Sequence, residues 1–255
     1  MNILLWIRYK GTHFAGFQVQ PNGRTVCAVL QDAMEAALGC RPDVKGCSRT
    51  DSGVHALRFA LSFRYDGSVP LQKLVPALNA RLPADVRAIE AQEVPEDFHA
   101  RYAAHTKTYC YRIRNHRIDD PFELETCHRI GSPLDLGAMQ AAAEGFLGRH
   151  DFSALCAAGS SAAAHGDTVR TITACRVERQ GPMITITVQA DGYLYNMVRI
   201  LAGTLVEAGR GKLDPAAVPA LLESRDRRRA GPTLPARGLF LVDVDYPRIP
   251  AADRT

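Results

Sequence analysis

The sequence lacks most of what would place it in a membrane, outside the cell or around a metal. No apolar run among its 255 residues approaches the ~20 that a membrane-spanning helix needs. The opening Met1-Asn2-Ile3-Leu4-Leu5-Trp6-Ile7-Arg8-Tyr9 is too short and too early charged for a secretory signal and reads as a strand. The seven cysteines are odd in number and include no Cys-x-x-Cys pair. That disfavours disulfide and zinc frameworks alike and leaves reduced thiols in a cytoplasmic protein. The eight histidines show no His-x-His or His-x-x-x-His spacing, so no metal is expected. No low-complexity block or long linker interrupts the chain. Lysine is scarce, 5 against 26 arginines.

What is present is ordinary for a globular protein, with 46% hydrophobic and 23% charged residues. The length suits one large domain or two small ones, each with its own core. A net charge of +4 is a mild hint of a polyanionic partner. Arginine suits phosphate forks and base stacking, although base content in the gene can also enrich it.

The expected elements come in an order that repeats. Residues 2–9 form a strand, and Thr25 caps a helix whose stripe is Val26, Val29, Leu30, Ala33, Met34, Ala37 and Leu38, stopped by Gly39. Residues 43–48 give a short strand. Residues 56–65 alternate, with Phe59, Leu61, Phe63 and Tyr65 on one face and Arg58, Ser62 and Arg64 on the other, as in a half-buried strand. A helix over 70–81 and a strand over 86–94 complete β-α-β-β-α-β. The second half repeats this: a strand at 106–114, a helix at 134–147, and strands at 168–178 and 183–190 joined at Gln180-Gly181-Pro182. A helix at 196–208, a short one from Asp214-Pro215 and a last strand at 239–245 follow. The fold class expected is therefore α+β: two tandem ferredoxin-like halves with antiparallel sheets side by side and a cleft between them, a common place for a site. The expected division is 1–104, 105–250 and a tail at 251–255.

One loop stands out chemically: Arg49-Thr50-Asp51-Ser52-Gly53-Val54-His55. Its composition is that of a turn, in which Asp51 would make only a local Asx bond. Its company points further, since Arg49 lies two before the carboxylate, His55 four after it, and no other nucleophile is evident in the chain.

Six ordered segments carry a resemblance to a known family. Cys47-Ser48-Arg49-Thr50-Asp51-Ser52-Gly53-Val54-His55-Ala56 resembles the GRTDAGVHA signature of the tRNA pseudouridine synthase A family, and Tyr9-Lys10-Gly11-Thr12-His13-Phe14-Ala15-Gly16-Phe17-Gln18 resembles its opening YDGTxFxGWQ. Phe98-His99-Ala100-Arg101-Tyr102 with Lys107-Thr108-Tyr109-Cys110-Tyr111-Arg112-Ile113 is similar to FxARF…KxYxYxI, and Gly148-Arg149-His150-Asp151-Phe152 to GxHDF. Tyr195-Asn196-Met197-Val198-Arg199 resembles FLxxMVR, and the run from Ala230 to Leu239 resembles AGPTAPAxGL. Lys10, Phe17, Ser48 and Ser52 depart from the family pattern.

The resemblance implies conversion of uridine to pseudouridine at positions 38, 39 and 40 in the anticodon arm of tRNA, without metal or organic cofactor. It also implies a pseudouridine synthase fold and a homodimer. Asp51 would be the catalytic carboxylate, attacking sugar C1′ or uracil C6 or abstracting the 2′ proton, three routes the sequence leaves open. Arg199 would keep it charged, and Tyr109 would stack on the base and serve proton transfer at C5. From pattern alone Arg199 would be a solvated helix position and Tyr109 a packed strand residue. Arg49, His55 and Arg58 join Tyr109 as substrate-binding candidates, with Arg49 placed to fill the space of a flipped base and His55 equally suited to holding the loop. Arg24, Arg64, Arg149 and the run Arg225-Asp226-Arg227-Arg228-Arg229 are candidates for phosphate contacts.

Two other classes fit the sequence less well. An RNA-binding module without chemistry would show the RNP strand pattern, and neither half does. A metal-dependent hydrolase lacks its ligand spacing.

Overall fold

The computed structural model describes residues 1–159, 164–247 and 249, so the expected tail at 251–255 lies outside the described residues. In chain order the elements are β1 (Asn2–Tyr9), α1 (Val26–Leu38), β2 (Lys45–Gly46), β3 (His55–Arg64), α2 (Leu71–Asn79), β4 (Val86–Val94), β5 (Thr106–Arg114), β6 (His128–Arg129) and α3 (Leu136–Glu144). They continue with β7 (Gly148–Asp151), β8 (Val169–Gln180), β9 (Met183–Ala190), α4 (Met197–Gly209), α5 (Val218–Ser224) and β10 (Leu239–Asp245). The protein is a mixed α and β structure in which β1–β3, β1–β4, β2–β3, β5–β9, β7–β8 and β8–β9 pair antiparallel and β5–β6 pairs parallel. Two compact units form, one of residues 1–105 with 241–247 and the other of the described residues within 106–240.

In the first unit the sheet runs β4-β1-β3-β10, with β2 also paired to β3. β1 is central, and Ile3, Leu4, Leu5, Trp6 and Ile7 are all buried, so both of its faces are covered. α1 begins where the Thr25 hydroxyl accepts the Ala28 amide at 3.3 Å and ends at Gly39, whose φ of 73° suits a residue without Cβ. A cap of this kind stabilises a helix by about 1 kcal/mol. Val26, Leu30, Ala33 and Met34 face the core as the stripe predicts, joined by Cys27, while Val29, Ala37 and Leu38 are half-buried.

The expectation of a half-buried strand at 56–65 is corrected. Ser62, on the side expected to meet water, is buried, and its hydroxyl accepts the Ala100 amide at 3.1 Å. The chain returning through 95–100 covers that face and is tied down by Asn2, whose side-chain amide donates to Pro95 O and Phe98 O at 2.9 Å. The short strand expected at 43–48 shrinks to Lys45–Gly46.

The second unit carries the sheet β5-β9-β8-β7. β9 alternates cleanly, with Ile184, Ile186, Val188 and Ala190 buried. α3 starts later than expected because the Asp135 carboxylate accepts the Ala138 amide at 3.0 Å and so fixes the first turn. β7, four residues long, pairs with β8 without having been expected. α4 is buried on nearly every side, with only Arg199 and Glu207 of its residues from Met197 to Gly209 half-buried. Such a helix belongs inside a core rather than on a surface.

Candidate active site

In the first unit the Asp51 loop is a turn fastened to the segment Tyr9–Phe17. Val54 N donates to Asp51 O at 3.2 Å, closing the turn, and Gly53 takes a φ of 79°. Phe17 N donates to Thr50 O at 3.1 Å and Gly53 N to Phe14 O at 3.2 Å, so backbone bonds hold the loop on either side of the carboxylate. The Ser52 hydroxyl adds a bond to Phe14 O at 3.2 Å. The buried hydroxyls of Tyr9 and Thr50 share a bond of 2.7 Å.

Two glycines make this approach possible. A Cβ on Gly11 would stand 1.9 Å from Val54 O, and one on Gly16, whose φ is 96°, would stand 2.7 Å from Thr50 O. Asp51 is half-buried between buried Thr50 and Val54, while Arg49 and Ser52 are exposed.

His55 is buried, and its Nδ1 accepts the Gly11 amide at 3.0 Å. A neutral ring so engaged carries its proton on Nε2. Arg58 pairs with Glu90 at 3.0 Å and Asp243 at 3.5 Å, and its guanidinium lies 4.0 Å from the centre of the Trp6 ring. Several arginines proposed for phosphate are also engaged within the protein. Arg24 grips Asp85 through two bonds of 2.7 and 3.0 Å, and Arg64 pairs with Glu96 at 2.7 Å. Arg225 pairs with Asp151 at 3.0 Å and Arg228 with Asp226 at 2.8 Å. Arg227 donates to Gly231 O at 2.9 Å and to the Thr233 hydroxyl at 3.2 Å. Arg49, Arg149 and Arg229 are exposed.

In the second unit Tyr109 stands on β5 opposite Val188, buried, with the Tyr193 ring edge-on at 5.0 Å. The Tyr193 hydroxyl lies 2.8 Å from the carbonyls of both Lys107 and Val188, and burial holds its pKa well above the usual tyrosine value. Tyr111, two residues on, is fully buried and donates to Pro235 O at 2.8 Å; burial raises its pKa too, opposed by Arg199 and Arg237. Tyr193 and Tyr111 are thus protonated, structural phenols.

Arg199 is not the solvated helix residue that its pattern alone suggests. Its Nε donates to Leu234 O at 2.6 Å, Leu234 N returns a bond to Arg199 O at 3.3 Å, and Nη1 donates to Asn196 Oδ1 at 2.6 Å. The loop carrying Leu234 approaches α4 through glycine contacts. A Cβ on Gly203 would lie 1.9 Å from Pro232 O, and Gly231 N donates to the buried Thr204 hydroxyl at 2.9 Å. The Ala230–Leu239 motif therefore holds the Arg199 helix, as the Tyr9–Gln18 motif holds the Asp51 loop.

The six segments could be read from sequence, but not that two of them are cradles. Tyr9, Thr50, Asn196 and Leu234 carried no signal beyond membership of a motif, and Thr204 lay outside every motif; the glycines at 11, 16 and 231 were the available clue. Among the described residues, no three or more His, Cys, Asp or Glu side chains gather as a metal site requires.

The first unit holds a half-buried carboxylate in a backbone-clamped turn, and the second holds, separately, a clamped guanidinium and a buried phenol, side-chain types that suit acid–base or nucleophilic chemistry. Residues 6–103 and 142–247 match the tRNA pseudouridine synthase family. The chain is 42% identical over 245 residues to tRNA pseudouridine synthase A of Caldicellulosiruptor saccharolyticus, covering 96% of this chain and 99% of that one. It is 44% identical over 245 residues to the tRNA pseudouridine synthase A of Acetivibrio thermocellus, with the same coverage, and 45% over 242 residues to that of Moorella thermoacetica, covering 94% and 97%. The chain belongs to the tRNA pseudouridine synthase family. Asp51 and Arg199 fall inside the matched stretches; Tyr109 falls between them.

Proposed function

We propose that this member of the tRNA pseudouridine synthase family isomerises uridine to pseudouridine at positions 38, 39 and 40 of the tRNA anticodon arm, with Asp51 as nucleophile or base. The observation that carries the reading is the Asp51 turn, held by backbone bonds from Phe17 and Gly53 and by the glycine contact at Gly11. A catalytic carboxylate needs this kind of fixed placement.

The reaction breaks the N1–C1′ bond, joins C5 to C1′ and releases the C5 proton, while N1 gains a proton. It is an isomerisation and needs neither redox cofactor nor energy source. The target base must leave its stack first. Exposed Arg49, two residues from Asp51, suits the vacated space or the backbone phosphate. The role proposed for Arg199 is that of a fixed cation, charged at any useful pH. Tyr109 supplies a ring for the uracil and a hydroxyl for proton transfer. His55 and Arg58 stand in the substrate-binding set as supports, since their bonds to Gly11 and to Glu90 and Asp243 tie them to the loop and sheet.

The two halves are proposed as ferredoxin-like repeats, 1–104 and 105–250. The order β4-β1-β3-β2 in the first unit and β5-β9-β8 in the second support that reading. A homodimer working in the cytoplasm on tRNA completes the proposal. No helix among the described residues is long and apolar enough to cross a membrane.

The direct test is a map of pseudouridines in tRNA from cells lacking this protein. Loss at 38, 39 and 40, restored by the wild-type gene and not by Asp51→Asn, is expected. An unchanged map would contradict the proposal.

A further inference from the structure

Asn196 is the N-cap of α4, where an asparagine side chain ordinarily accepts a backbone amide two or three residues on. It makes no such bond. Its Oδ1 instead accepts Nη1 of Arg199, the side chain at the third helical position, at 2.6 Å. The residue also holds a left-handed backbone, φ 60° and ψ 9°, which only one other non-glycine residue among those described shares with a positive φ. A forgone cap and a left-handed backbone both work against the helix. Strain of this kind persists where function uses it.

We propose that Asn196 is a positioning residue: it fixes the direction of the Arg199 guanidinium before tRNA arrives. With Nε bound to Leu234 O and Nη1 to Asn196 Oδ1, two of the three guanidinium nitrogens are set by bonds in different directions, so the plane of the group is determined. The inference rests on the catalytic role proposed for Arg199. The competing account is that Asn196 is there because asparagine tolerates the left-handed region. Glycine, which enters that region without strain, separates the two.

The experiment compares Asn196→Gly and Asn196→Asp, in the wild-type protein and in Arg199→Ala, by steady-state tritium release from tRNA labelled at uracil C5 and by thermal unfolding. In the wild-type background, Asn196→Gly should keep or raise Tm, leave KM within about twofold and lower kcat about tenfold or more, the size of effect a misplaced catalytic group gives. In the Arg199→Ala background the same change should alter kcat by less than about twofold, because coupled residues are not additive. Asn196→Asp retains an oxygen acceptor and should stay within about fivefold of wild type. A normal kcat for Asn196→Gly beside a slow Arg199→Ala overturns the positioning role, as does an equal loss in both backgrounds. If Arg199→Ala turns over at the wild-type rate, the catalytic reading of Arg199 falls and this inference falls with it, a result distinct from the other two.

Discussion

Gly11 offers a quantitative test of how the Asp51 turn is held. A Cβ there would stand 1.9 Å from Val54 O and 2.5 Å from its carbonyl carbon. Both neighbours are backbone, so no flexible side chain can yield. Restoring even a contact of 3.0 Å requires the two segments to part by about 1.1 Å, three residues from Asp51. The same movement strains the Gly11 amide bond to His55 at 3.0 Å and the Gly53 bond to Phe14 at 3.2 Å. Overpacking of this sort costs about 1–3 kcal/mol of stability, which in a chain of this size lowers Tm by about 2–4 °C per kcal/mol. A misplacement of about 1 Å at a catalytic group costs on the order of 100-fold in rate. Gly11→Ala should therefore fold, melt several degrees early and lose about two orders of magnitude in kcat for tritium release from C5-labelled tRNA. A folded Gly11→Ala protein with kcat within about twofold of wild type would refute the view that this contact sets the position of Asp51.

Other perturbations reach different parts of the account. Tyr109→Phe keeps the packing on Tyr193, so unfolding should change little while kcat drops by about 100-fold or more if the hydroxyl takes part in proton transfer; a wild-type rate in single-turnover assays would remove that role. The Arg24 hydrogen bond holds the Asp85 carboxyl below its usual pKa. A depressed folded pKa contributes stability above the unfolded value of about 3.9 and loses it as pH falls through the lower folded value. Asp85→Asn should therefore cost up to about 1 kcal/mol near neutral pH, the pair being partly exposed, with the difference closing in urea titrations as the pH falls below the unfolded carboxyl value; a gap that does not narrow in acid would contradict the assignment.

The parts legible in the sequence were those set by local interactions. Thr25 and Gly39 mark α1 because a cap is decided by a few neighbouring residues. Tyr109, Tyr111 and Ile113 alternate into the core because β5 has one buried face. β3 misled for the opposite reason: Ser62 is polar yet buried, and only the distant segment at Ala100 accounts for it. The loop at Asp51 could be picked out by its motif, but its rigidity depends on partners some forty residues earlier, at Tyr9, Gly11, Phe14 and Phe17. Sequence likewise could not separate arginines held within the protein, such as Arg24 and Arg58, from exposed Arg49. All three are the same residue type, and carboxylates distant in sequence decide which of them is engaged.

The central claim is that Asp51 acts chemically rather than as an adhesive or a turn-former. Asp51→Asn keeps size and turn propensity and removes the charge. Release of tritium from C5-labelled tRNA should be abolished while tRNA affinity stays within a few-fold of wild type, because phosphate contacts supply most of that affinity. Retained turnover in Asp51→Asn would contradict the account.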